Sequence, residues 1–74
     1  MIYYKVTDEL AGRTAFGFHR GGGTKVIGQY VKNELYTRKE LQKHIVNLND
    51  FEKVEIKKSN IYFSFGCRFE CTEV

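Results

Sequence analysis

The sequence predicts a small α+β domain: a small, mostly antiparallel sheet in the order β-β-β-α-β-β, with one short helix packed on one face. Three observations predict it. Apolar residues recur at every second position in stretches at both ends of the chain, most clearly over Ile61–Phe69, which is the period of a strand with one buried side. One segment, Thr37 to Glu40, carries the signature of a helix start. The chain is 74 residues long, has no proline, and is 42% apolar and 15% aromatic; that length suits one domain over residues 1–74, and that composition a folded one.

Ile2 to Thr7 sets Ile2, Tyr4 and Val6 against Tyr3, Lys5 and Thr7 and reads as a first strand. Asp8 to Gly12 is a loop. Arg13 to Arg20 puts Phe16 and Phe18 on one side and Ala15, Gly17 and His19 on the other, a second strand hairpinned to the first, with Gly17 as a bulge candidate. Gly21-Gly22-Gly23 breaks the chain. Thr24 to Val31 is a third strand, and Lys32-Asn33 a turn.

The helix follows. Thr37 caps it, Glu40 reaches back to complete a capping box, and Tyr36 and Leu41 form a hydrophobic staple. The expected span is Arg38 to about Ile45, with Leu41 and Ile45 facing inward, Asn47 in a left-handed C-terminal position, and Phe51 sealing the helix against the sheet.

Lys53 to Glu70 reads as a hairpin with its turn at Lys58-Ser59-Asn60. A two-residue loop pairs Ile56 with Phe63; a four-residue loop pairs Ile56 with Ile61. Both keep the apolar residues on one face, and both stay open. Ile61, Phe63, Phe65, Cys67 and Phe69 then form a core face, leaving Tyr62, Ser64 and Arg68, with Tyr3, on the other. Cys67 and Cys71 share strand parity, so their Cα atoms lie roughly 13 Å apart in an extended strand. A disulfide needs about 4.4–6.8 Å, so free thiols are expected.

Function is less legible. The net charge of +3 suits nucleic acid or an acidic protein partner and demands neither. No apolar run reaches about 18 residues, and the first residues lack a secretion signal, so a cytoplasmic protein without a membrane partner is expected. His19, His44, Cys67 and Cys71 lack zinc-finger spacing, so no metal and no cofactor are expected. No nucleophile-base pair can be placed, and Glu34, Glu52 and Glu55 look exposed, so no enzyme is expected. The glycine run between Arg20 and Lys25 does not match a phosphate-binding loop and reads as a hairpin loop.

Two surfaces remain as binding candidates. Arg38, Lys39 and Lys43 form a basic patch on the helix, with Arg38 and Lys39 placed against the helix dipole; exposed lysines on a short helix are also ordinary. Tyr62 and Arg68 are residue types that anchor protein interfaces and that stack on single-stranded nucleic acid.

Two motifs carry a resemblance. Leu35-Tyr36-Thr37-Arg38-Lys39-Glu40 and Phe65-Gly66-Cys67-Arg68-Phe69 are similar to segments of short uncharacterised proteins encoded by phages and prophages of Gram-positive bacteria, over the second half of the chain. The resemblance implies an accessory phage protein acting in the host cytoplasm. It implies a non-enzymatic inhibitor of a host protein, such as a defence enzyme of the CRISPR nuclease kind. The same residues allow a small nucleic-acid-binding protein. An assembly protein that dimerises through a sheet edge is a third expectation, so the chain is a monomer or a homodimer.

Overall fold

The computed structural model describes residues 1–71. Its strands are β1 (Ile2–Lys5), β2 (Thr14–Phe18), β3 (Thr24–Gln29), β4 (Leu35–Tyr36), β5 (Glu52–Glu55), β6 (Ile61–Ser64) and β7 (Cys67–Glu70), with one helix, α1 (Arg38–Leu41), between β4 and β5. The class is α+β, as the sequence predicts. The strands are arranged differently: among the described residues they form three small antiparallel sheets, β4-β1-β5, β2-β3 and β6-β7.

β1 is the hub. It pairs with β4 (Tyr4 opposite Tyr36) and with β5 (Tyr3 opposite Val54), and not with β2 as expected. Its alternation has an unexpected outcome, because both of its faces are covered. Tyr4 and Val6 enter one core with Leu10, Ala15, Tyr30, Leu41 and Phe51, while Tyr3 enters a second with Leu35 and Ile56. Tyr3 therefore does not line a free sheet face. Burial on both sides explains why β1 carries large side chains at successive positions.

β2 and β3 form the expected glycine-linked hairpin, closed by Gly22 N–H donating to the His19 carbonyl at 3.1 Å. A bulge lies in it at Ala15/Phe16, just before the predicted Gly17. The small side of β2 is the buried one: Ala15 and Gly17 face in, and Phe16 and Phe18 face out. Gly17 is required there. A Cβ would sit 2.9 Å from the Lys43 carbonyl oxygen and 2.5 Å from Ile27 Cδ1, too close for any side chain. This closeness docks the hairpin against the chain leaving α1, where Ile45 N–H donates to the Phe16 carbonyl at 2.8 Å.

The capping box forms as predicted: Glu40 N–H donates to Thr37 Oγ1 at 3.2 Å, and Thr37 N–H to Glu40 Oε1 at 2.9 Å. The helix ends at Leu41 rather than Ile45. Ile45 is exposed, while Leu41 and Phe51 share the first core. Asn47 is not left-handed; it caps a short 3-10 turn, Leu48–Asp50, by accepting from Asn49 N–H. One turn of helix is too short to stand alone, so Leu41 and the cap hold it in place.

The largest correction concerns the C-terminal run. β5 pairs with β1, and Lys58–Asn60 is a 3-10 turn that joins β5 to β6 without pairing them, so neither expected register occurs. The run itself folds back at Phe65-Gly66, and β6 pairs with β7.

Candidate protein-binding surface

The β6–β7 hairpin turns on two residues, Phe65 and Gly66, with φ of 52° and 77°. Positive φ at both central residues marks the type I′ turn that fits the twist of a two-residue hairpin. Glycine adopts it freely. A phenylalanine there is sterically disfavoured, by about 1 kcal/mol, and the preferred occupant is asparagine or aspartate. Phe65 recovers nothing by packing: its side chain is fully exposed (relative exposure 104%).

A two-residue loop also reassigns the faces. Residues directly opposite share a face, so Tyr62, Ser64, Cys67 and Phe69 lie on one side, and Ile61, Phe63, Arg68 and Glu70 on the other. The expected core face does not exist: Phe63 is 69% exposed, and Tyr62 and Arg68 point to opposite sides. Parity counted straight through Phe65-Gly66 reverses at the turn.

Arg68 is a structural bolt. Its Nη1 donates to Glu40 Oε1 at 2.7 Å and to the Leu35 carbonyl at 3.2 Å, and its guanidinium lies over the rings of Tyr3 and Phe63 at 5.7 and 5.6 Å. One side chain thus joins the hairpin to α1, β4 and β1, and its charge is engaged within the fold. Tyr62 is exposed and packs on Phe69, 5.7 Å between ring centres. Arg38 and Lys39 are exposed on the single helical turn. Lys43 lies beyond the helix, where its carbonyl meets Gly17 of β2, so the three cations do not share one helix face. The conflict with the helix dipole also recedes, since one turn generates little dipole.

A polar network lies beneath this surface. Glu34, expected to be exposed, is buried (8%). It accepts from the Tyr36 hydroxyl at 2.9 Å and from Val31 N–H at 3.3 Å. Burial, and then the bond to Glu34, push the Tyr36 hydroxyl well above its ordinary value; burial and the same carboxylate push the Cys67 thiol up. Nearby, Tyr30 and His44 share a hydrogen bond of 2.9 Å between hydroxyl and Nδ1. Burial holds His44 below its ordinary 6.5, against the pull of Glu34 and Glu40. Burial tends to raise Glu40, but the Arg68 and Thr37 bonds outweigh it and hold this carboxyl below 4.5. These groups tie elements together: the cluster joins β4, β7 and the chain on either side of α1.

The two depressed groups predict a two-stage acid response. A group with a depressed native pKa contributes no penalty above its unfolded value and destabilises as pH falls through its native value. The melting temperature is expected to hold between pH 6.5 and about 9, the ordinary thiol value above which Cys67 adds a loss of its own, to fall below 6.5 as His44 is forced to protonate, and to fall again below pH 4.5 as Glu40 releases Arg68. Thermal melts across pH check this: His44→Gln is expected to flatten the upper step and Glu40→Gln the lower.

Phe63 and Phe65 as exposed residues escaped the sequence reading. The available signal was Gly66, which divides the run into two equal strand-forming arms, Ile61–Ser64 and Cys67–Glu70. Comparison with family models, curated proteins and solved structures returns no match. No helix among the described residues is long and apolar enough to cross a membrane.

Proposed function

We propose that the chain is a non-enzymatic binding protein of the phage accessory kind, which occupies a surface of a host protein and inhibits it. The contact is made by the tip of the β6–β7 hairpin. The observation that carries this reading is Phe65: a large aromatic side chain, fully exposed, held in a backbone conformation that disfavours it. Local strain without local compensation is a pointer to function. Exposed aromatics that enter a partner's pocket are the side chains that dominate protein interfaces. Phe63 beside it and the Tyr62–Phe69 pair broaden the apolar contact, and Arg68 fixes the hairpin so that little freedom is lost on binding.

The test is capture of a partner from host lysate, before and after nuclease treatment, by the wild-type chain and by Phe65→Asn. The expected result is one host protein retained by the wild type after nuclease and lost by the variant. Retention that disappears with nuclease would transfer the reading to nucleic acid. Equal capture by the variant would remove the hairpin tip from the contact.

A further inference from the structure

Gly17 stands at the centre of a short cross-strand row. It pairs with Lys25 of β3 on one side and bridges to His44 on the other. Directly opposite residues share a face, so Lys25 and His44 stand on either side of a residue with no side chain. Neighbouring strands are about 4.8 Å apart, which sets these two banks roughly 10 Å apart. The gap is a groove of about 780 Å³ across β2, a size that suits a small organic ligand.

The floor of the groove is apolar. Ile27 lies over Gly17, with its Cδ1 2.5 Å from the point a Cβ would occupy, and Val26 lines the groove beside it. One wall is aromatic. The rings of Tyr36 and His44 lie 5.3 Å apart at 65°. Both are braced from behind: Glu34 accepts from the Tyr36 hydroxyl, and Tyr30 shares a hydrogen bond with His44 Nδ1. That bracing shapes the wall before any ligand arrives. The charges are unbalanced. Lys25 and Lys43 line the groove, and neither has an acidic partner within ion-pair distance among the described residues. Glu40 lines it too, but its carboxylate already accepts from Arg68 and from Thr37 N–H.

We infer that this groove binds a small aromatic carboxylate, with its ring on Ile27 against Tyr36 and His44 and its anionic group held by Lys25 and Lys43. A flat ring suits an apolar floor flanked by ring edges, the arrangement in which aromatic groups attract one another. A single negative charge suits two ammonium groups that share a groove with Glu40, whose carboxylate repels a dianion more strongly. The site uses no residue of the β6–β7 tip, so it stands or falls apart from the hairpin contact.

The experiment titrates isotope-labelled protein with naphthoate and follows backbone amide shifts. The expected result is saturable change confined to Gly17, Lys25 to Ile27, Tyr36 and Lys43 to His44. Binding is expected to weaken about tenfold or more with naphthamide, which keeps the ring and lacks the charge, and with Lys25→Gln plus Lys43→Gln. Inorganic phosphate, which lacks the ring, is expected to give no saturable change. Equal binding of naphthamide would remove the charge from the recognition, and equal binding of phosphate would remove the ring; either overturns the inference. So would shifts centred elsewhere, or none at millimolar naphthoate. The naphthamide and phosphate comparisons use the wild-type chain, so they decide the matter even where the double variant folds poorly.

Discussion

Leu35→Ala is expected to remove about 3 kcal/mol of stability, the middle of the range for truncating a buried leucine. Leu35 is the largest fully buried side chain among the described residues (1% exposed) and packs with Tyr3 and Ile56 in the second core. That core is small: among the described residues it has three buried members with Val54 and Ile61 packed around it, so few neighbours can move in to fill the space. A chain of this size has roughly 4–11 kcal/mol in total, and the loss is a large part of it. Urea unfolding checks the expectation: the midpoint should fall while the slope stays constant. The β6–β7 hairpin should loosen with it, since Ile61 rests on this core.

Arg68→Ala is expected to cost about 2 kcal/mol, combining a charge-assisted bond to Glu40, a bond to a partly buried carbonyl, and stem packing on Tyr3. The ion pair itself is partly open to solvent, with Glu40 at 45% side-chain exposure, so its own share is at most about 1 kcal/mol. A double-mutant cycle with Glu40→Gln isolates that share. Arg68→Met, which keeps most of the stem, should recover part of the loss. Loss of partner capture by Arg68→Ala is therefore no evidence of contact, because the variant releases the hairpin from the fold.

The sequence reveals what local chemistry settles. The capping box at Thr37 and Glu40 is local, and it forms as read. The glycine-linked hairpin of β2 and β3 is also local. The class follows from strand periods around one helix start. Which strands pair is not local. β1 meets β4 and β5, each separated from it by at least 29 positions, and nothing in its own alternation names those partners. Tyr3 and Tyr4 show the same gap: a strand buried on both faces looks amphipathic until both layers are in view. At Phe65 the reading fails for a physical reason. Phenylalanine has high strand propensity, so the local preference points away from the turn that the backbone adopts, and Gly66 alone speaks for it. Glu34 illustrates the converse, since Cys67 reaches it from a distant part of the chain.

Conflicts between local preference and observed structure tend to fall at functional positions, and Phe65 is the sharpest one in this chain. The central claim is that Phe65 stands at the hairpin tip for contact and at some cost to the fold. Chemical and thermal unfolding of Phe65→Asn, which restores the favoured Asn-Gly turn, tests this most directly. The expected result is a variant that is more stable than the wild type, with a melting temperature raised by about 2–5 °C, while it loses the partner. A variant less stable than the wild type would contradict it, because Phe65 would then be holding the fold together.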